Sequence, residues 1–155
     1  MSEPVALVGR GLCYEDLRLG FRFRTHRRTI TEADLAAFVN LSWLTEELFA
    51  VQEGEMSDAG RAIQGRAVPA ALVYAFAEGL LLPTMQDTGL AFLNATLDVK
   101  APTLVGDTIH VEAEVTELRL ASKGDRGLAR FANRVVNQRG ATALEYNPLR
   151  LLKRK

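Results

Sequence analysis

The sequence contains few of the residues that usually carry metal or redox chemistry. Its 155 residues include one cysteine, Cys13, and two histidines, His26 and His110. A single cysteine excludes an internal disulfide and any zinc site built from several cysteines, and it fits a reducing compartment. We therefore expect a cytoplasmic protein that uses no metal and no other cofactor.

Net charge and long hydrophobic runs are also missing. Lysine plus arginine and aspartate plus glutamate number 19 each, so no net field attracts the chain to nucleic acid or to a membrane surface. The longest apolar run, residues 67–77, stops at Glu78, well short of the ~20 residues of a membrane span. The patch Val5–Val8 lacks the basic start and the long apolar stretch of a cleaved signal. We expect no nucleic-acid partner and no membrane partner.

The length matches the commonest size of a single domain that buries its own core. We find no internal repeat and no composition shift typical of a linker, and we expect loops near residues 50–65 and 121–127. The sequence predicts one domain over residues 1–155, with residues 1–13 peripheral or disordered.

The first half of the chain predicts a strand and a short helix. The strand covers Phe21–Arg28. Thr31 and Asp34 then form a weak capping box, and an apolar face that includes Leu35 and Phe38 continues to about Asn40.

A second helix, over Arg66–Leu82, is apolar on every side. Pro69 lies in its first turn, where the missing amide hydrogen costs nothing. A helix of this kind must be covered all round. Glu78 is its one charge, and we expect it to form an ion pair or a dimer contact, because an unpaired buried charge is costly.

Four strand-like segments follow this helix. Turn signals at residues 122–125 and 137–140 predict antiparallel hairpins, and the alternation of the second segment slips at Glu117–Leu118, which predicts a bulge. The fold class is therefore α+β, with a curved antiparallel sheet around one long central helix. The predicted strands are residues 90–100, 107–118, 128–137 and 141–152.

Several stretches resemble the MaoC-like family of hotdog proteins, the relatives of (R)-specific enoyl-CoA hydratases and 3-hydroxyacyl-thioester dehydratases. The most specific is PTLVGDTIHV, residues 102–111. The others are Tyr14-Glu15-Asp16-Leu17 through Gly20, residues 29–34 and residues 137–140. The resemblance covers the chain from about Tyr14 onward and implies a hotdog fold, in which the sheet curls around the central helix.

The family's catalytic dyad is missing from this chain. The resemblance implies an aspartate and, five residues later, a histidine in the loop after the first helix, where they move protons during hydration or dehydration of a thioester. These positions hold Leu44 and Phe49, and neither side chain can transfer a proton. His26 and His110 lie on predicted strands away from the motif and are expected to be ordinary surface or edge residues.

The family's motif at the start of the central helix survives only in part. The resemblance places a histidine and a glycine where Pro69 and Ala70 stand. Ala70 keeps its backbone amide at a helix N-terminus, so a donor for the thioester carbonyl oxygen can remain.

Glu46 and Glu47 are the candidate catalytic residues of the rewritten loop. Either could replace the dyad if an apolar environment raised its pKa. The alternative, which we favour, is that residues 45–47 open a helical turn whose N-terminus suits carboxylates.

The remaining candidates concern binding. The acyl-thioester pocket would be lined by Ala70, Pro69, Phe49 and Trp43. Its entrance for acyl-CoA would be lined by Asp58 and Arg61. Arg66, Lys100, Lys123 and Arg126 are candidate phosphate contacts, although such side chains are more often simply solvated.

These features leave three functional hypotheses open. The first is a homodimer of fatty-acid metabolism that binds an acyl thioester, most simply acyl-CoA, with hydro-lyase chemistry that is absent or uses other residues. The second is a catalytically silent partner subunit of an active MaoC-like chain, or an acyl-CoA sensor. The third is a hotdog thioesterase, in which Glu46, Glu47 or Asp58 activates water.

Overall fold

An antiparallel sheet and one long helix account for most of the chain in a computed structural model that describes residues 3–50, 63 and 65–155. A 3-10 turn at Tyr14–Asp16 precedes the helices α1 (Glu32–Ser42), α2 (Glu47–Ala50) and α3 (Ala70–Met85). The strands are β1 (Arg22–Arg24), β2 (Arg28–Thr29), β3 (Ala67–Val68), β4 (Gly89–Asn94), β5 (Leu97–Val99), β6 (Thr103–Leu104), β7 (Thr108–Leu120), β8 (Arg126–Val136), β9 (Thr142–Tyr146) and β10 (Leu149–Lys153).

The main sheet has the order β1-β7-β8-β10-β4, and all of its pairs are antiparallel. The predicted strand over residues 21–28 is divided into β1 and β2, which both pair with β7. Likewise, β9 and β10 both pair with β8, while β5 pairs with β9 and β4 pairs with β10. The two hairpins are confirmed, and a register shift between Val115 and Glu117 confirms the bulge.

The start of the central helix was predicted too early. The helix begins at Ala70, because Ala67 and Val68 form β3 and pair with β6. Pro69 is therefore the N-cap and not part of the first turn. At the other end the helix continues past Leu82 and Pro83 to Met85.

The helix α3 is buried on one side only. Its core face includes Leu72, Val73, Ala77 and Leu81, which pack with the inner residues of the sheet. The opposite face is exposed along Ala71, Ala75, Gly79 and Leu82, so the expectation of cover on all sides is wrong within a single chain. No helix among the described residues is both long enough and apolar enough to span a bilayer.

The capping box of α1 is confirmed. The Thr31 hydroxyl accepts a hydrogen bond from the Asp34 amide at 3.2 Å, and the Asp34 carboxylate accepts one from the Thr31 amide at 2.9 Å. The helix ends at Trp43, whose left-handed backbone (φ 63°) allows its amide to donate to the Val39 carbonyl.

The most specific stretch of the resemblance holds three parts of the fold together. The buried Asp107 carboxylate accepts hydrogen bonds from the Leu104 amide at 3.0 Å and from the Gln138 side chain at 2.9 Å. Arg139 donates to the same carboxylate at 3.3 Å, and the Asp107 carbonyl accepts from the Ile30 amide. This motif therefore joins the β6–β7 turn, the β8–β9 hairpin and the approach to α1.

The stretch that begins at Tyr14 is structural as well. The Tyr14 ring lies against Gly127 so closely that a Cβ atom at residue 127 would come within 2.1 Å of it. Glu15 accepts a hydrogen bond from Arg154 at 2.7 Å, which ties the C-terminal end to this turn. Cys13 is buried beside the turn, whereas residues 3–10 are exposed.

Candidate functional site

The start of α3 offers backbone donors. The Pro69 carbonyl accepts from the amides of Leu72 and Val73. Within the described part of the chain, no group accepts a hydrogen bond from the amides of Ala70 and Ala71. Such orphan amides, together with the positive end of the helix dipole, suit a carbonyl oxygen or an anion.

The chain after α1 lies next to this helix start. The helix α2 contacts both α1 and β3, and only Pro69 separates β3 from α3. Leu44 is partly exposed, and Phe49 is half-buried. The structure therefore brings Phe49, on α2, toward the strand that leads into the donors, and Leu44 lies in the connection just before α2.

Glu46 and Glu47 do not have the environment that the catalytic hypothesis needs. Both side chains are exposed, and the Glu46 carbonyl accepts the amides of Phe49 and Ala50 as a helix start does. The geometry agrees with the favoured alternative, a helical turn opened by residues 45–47.

Arg66 is held by an ion pair. Its guanidinium donates to both carboxylate oxygens of Glu32, at 2.7 Å through Nη2 and at 3.1 and 3.2 Å through Nε. These hydrogen bonds, together with the positive charge, lower the pKa of the Glu32 carboxyl below its usual value. The pair fixes the first turn of α1 against the strand that leads into α3.

The other candidates for binding are scattered. Lys100 pairs with Glu145 at 3.6 Å, and Arg126 lies 3.8 Å from Asp125. Arg126 and the exposed Lys123 belong to the β7–β8 hairpin, at the far end of a 13-residue strand from the Asp107 turn. The structure does not bring them together with Arg66. Asp58 and Arg61 lie outside the described residues.

A buried polar network lies in the middle of α3. Glu78 accepts a hydrogen bond from the Tyr146 hydroxyl at 2.8 Å and forms an ion pair with Arg150 at 2.6 Å. The ion pair expected of Glu78 is therefore found. Burial raises the pKa of Tyr146, and the adjacent Glu78 carboxylate raises it further, so the phenol stays a donor. Nothing in the sequence pointed to Arg150 as the partner.

The histidines take no part in the site. His26 is exposed, and the ring of His110 lies 3.2 Å from its neighbour Glu112 on the same strand. Among the described residues, no three His, Cys, Asp or Glu side chains converge as metal ligands.

Comparisons with known proteins agree with this geometry. The chain is 30% identical over 130 residues to the (R)-specific enoyl-CoA hydratase of Aeromonas caviae, which covers 84% of this chain and 91% of that protein. No family model matches the chain.

Two solved structures share the fold. The MaoC-like dehydratase from Rhodospirillum rubrum has a TM-score of 0.74 at 23% identity and covers 94% of this chain and 99% of its own. A double-hotdog protein from Mycobacterium tuberculosis has a TM-score of 0.79 at 24% identity, and the match covers 97% of this chain but 46% of that one. The second match shows that a chain of this size corresponds to one half of a double hotdog.

Proposed function

Because the chain belongs to the MaoC-like hotdog family of (R)-specific enoyl-CoA hydratase relatives, we propose that it binds an acyl thioester, acyl-CoA, at the start of α3. The observation that carries the proposal is the pair of amides at Ala70 and Ala71, which have no acceptor among the described residues. The helix α2, which contains Phe49 and follows Leu44, contacts the strand that leads into them. The amides would hold the thioester carbonyl oxygen, and the apolar side chains would receive the acyl group.

Hydration of an enoyl thioester requires a group that gives and takes protons near neutral pH. Leu44 and Phe49 cannot do this, and Glu46 and Glu47 are exposed. We therefore expect this protein to bind the thioester but to hydrate it far more slowly than a relative that has the aspartate and the histidine. Any residual hydro-lyase activity would depend on Glu46 or Glu47.

We further propose that this protein acts as a dimer. The strand β4 pairs with β10, and its other edge has no strand beside it among the described residues. The edge is apolar and exposed, which is a liability unless another chain covers it. Pairing with a second copy would extend the sheet and cover the exposed face of α3. The exposed apolar residues are Leu90, Phe92 and Leu93 on β4, and Leu97 and Val99 on the following strand β5.

A second candidate function uses the same edge. If the partner is an active MaoC-like chain, this protein is the silent subunit of a mixed dimer. The apolar edge favours this alternative as much as it favours a homodimer, and the missing dyad adds support. Coexpression with a hydratase-like chain, followed by pull-down of a tagged copy, separates the two assemblies.

The test of the site removes one backbone donor without removing a side chain. Ala70→Pro deletes the amide at the first helical position, where proline is well tolerated, and the backbone of Pro69 (φ −57°, ψ 136°) already has the extended form that precedes proline. Ala70→Ser keeps the amide and is the matched control. Both variants should fold, which thermal unfolding checks.

We expect butyryl-CoA to bind the wild type and Ala70→Ser alike in titration calorimetry, and to bind Ala70→Pro about tenfold more weakly, as the loss of one hydrogen bond implies. Equal affinity of all three proteins would remove Ala70 from the site. If no acyl-CoA binds the wild type, the proposed function is wrong. Release of free CoA would show thioester hydrolysis and favour the thioesterase hypothesis.

A further inference from the structure

Residues 3–10, the N-terminal arm, are exposed along their whole length. The arm carries three large apolar side chains, Val5, Leu7 and Val8, and Val5 is fully exposed. Within the described residues, no backbone group of the arm takes part in a backbone hydrogen bond. An extended apolar segment with unpaired backbone groups is suited to packing on another chain.

The root of the arm is fixed at the C-terminal end of α3. The Gly11 amide donates to the Gln86 carbonyl and the Leu12 amide donates to the Thr84 carbonyl, both at 2.8 Å. A Cβ atom at Gly11 would lie 2.5 Å from the Thr84 backbone, so the approach requires glycine. The arm therefore leaves the molecule at the C-terminal end of α3.

A second exposed apolar cluster lies at the opposite end of α3. Leu41, Trp43 and Leu44, the α1 corner, follow each other closely at the end of α1. Trp43 is 85% exposed although it is the largest side chain of the molecule, and its backbone has the left-handed conformation that a non-glycine residue adopts only at a cost. The contacts of α2 with α1 and with β3, the strand before α3, place this corner toward the end of the molecule where α3 begins.

A two-fold axis would bring these clusters together. Antiparallel pairing of two identical β4 edges requires an axis perpendicular to the strands, and that axis also reverses the direction of α3. The C-terminal end of one α3 then lies near the N-terminal end of the other. Extended residues span about 3.3 Å each, so Val8, Leu7 and Val5 can reach about 10, 13 and 20 Å from the anchor at Gly11, which suffices only for a surface close to the adjoining helix end of the partner.

We infer that the N-terminal arm of each protomer packs Val5, Leu7 and Val8 onto the α1 corner of its partner. The inference rests on the edge-to-edge dimer of the proposed function, and it assigns a role to two apolar clusters that the single chain leaves in water.

Trp43 is the only tryptophan of the chain, so its fluorescence reports directly on the corner. The arm variant Val5→Ser/Leu7→Ser/Val8→Ser should raise the acrylamide quenching constant of Trp43 about threefold, because an indole covered by apolar side chains becomes accessible to water again. The matched control is Leu19→Ser, which replaces a leucine that is 64% exposed near the opposite edge of the sheet. The control should leave the quenching unchanged. Quenching that is equal in the wild type and in the arm variant would overturn the inference.

A crosslinking experiment tests which chain the arm contacts. Two differently tagged copies, one Leu7→Cys and one Trp43→Cys, are coexpressed with Cys13→Ala in both. A disulfide should join the two tags, and Leu19→Cys with Trp43→Cys should give none. No crosslink between the tags, or an equal yield in the control pair, would overturn the inference.

Light scattering and calorimetry separate this inference from the proposed function. A monomeric wild type would overturn both the arm contact and the dimer. A dimer that forms the disulfide but binds no butyryl-CoA would overturn the acyl-thioester site and leave the arm contact standing.

Discussion

The turn at Asp107 and the corner after α1 differ in how they resemble the family. The turn keeps residues that carry the resemblance, and Asp107 is used twice: its buried carboxylate ties the β6–β7 turn to the β8–β9 hairpin, and its backbone carbonyl holds the approach to α1. At the corner, where the resemblance implies an aspartate and a histidine, this chain has Leu44 and Phe49, and it exposes Leu44 and Trp43. The residues at the turn hold the fold, whereas the apolar residues at the corner cannot transfer protons, which is why we propose a loss of hydratase activity.

The largest expected effect concerns the corner. General acid–base catalysis contributes about 10²- to 10⁴-fold in rate, so crotonyl-CoA hydration by the wild type should be slower than that of an Asp/His-bearing relative by about this factor. Leu44→Asp/Phe49→His should recover part of it, and Leu44→Asn/Phe49→Gln, which has similar shape but cannot transfer protons, should not. Turnover comparable to the relative, unchanged in Glu46→Gln/Glu47→Gln, would contradict both the lost dyad and a substitute carboxylate.

The second-largest expected effect concerns the buried network around Glu78 of α3. Glu78→Ala leaves the nearly buried guanidinium of Arg150 without its carboxylate, and we expect the free energy of unfolding to fall by about 3 kcal/mol. Urea denaturation measures this loss. Glu114→Ala removes the partner of the exposed Arg22 and should cost well under about 1 kcal/mol. Similar losses in the two variants would show that the Glu78 network is not a buried pair.

The third-largest expected effect concerns the turn at Asp107. Asp107→Ala leaves the Leu104 amide and the Gln138 side chain without their acceptor, so the free energy of unfolding should fall by about 2 kcal/mol. Asp125→Ala, at an exposed position in another turn, is the control. Acyl-CoA affinity measured per folded molecule should stay the same in Asp107→Ala. A selective loss of affinity would mean that the turn belongs to the site and would contradict its purely structural role.

The smallest effect is a pH dependence that arises near α1. Arg66 lowers the pKa of Glu32, and hydrogen bonds from Thr31 are the main cause of the lowered pKa of Asp34. A carboxyl group with a lowered pKa in the folded state contributes stability above its unfolded pKa, and this stability is lost as the pH falls through the folded value. Stability should therefore be level near pH 6–7 and decline below about pH 4.5, the range of ordinary carboxyl groups. Glu32→Gln should flatten the decline, and urea midpoints at several pH values measure it.

Local patterns in the sequence predicted those parts of the fold that depend on neighbouring residues. The capping box at Thr31, the hairpins at residues 122–125 and 137–140, and the bulge near Glu117 each follow from a few adjacent side chains. The helix start was misplaced because Ala67 and Val68 suit a helix and a strand equally well. Pairing with Thr103 and Leu104, more than thirty residues away, decides between the two.

The sequence by itself determined that Leu44 and Phe49, where the resemblance implies the acid–base pair, are apolar, since residue types are read without coordinates. Only the tertiary structure decided that Arg66 is paired with Glu32, that Glu46 and Glu47 are exposed, and that one face of α3 lacks cover in the single chain. Pairing and exposure depend on what distant segments bring to a position. The apolar composition of α3 therefore identifies the core helix from sequence alone. Which of its faces is exposed can be seen only in the folded chain.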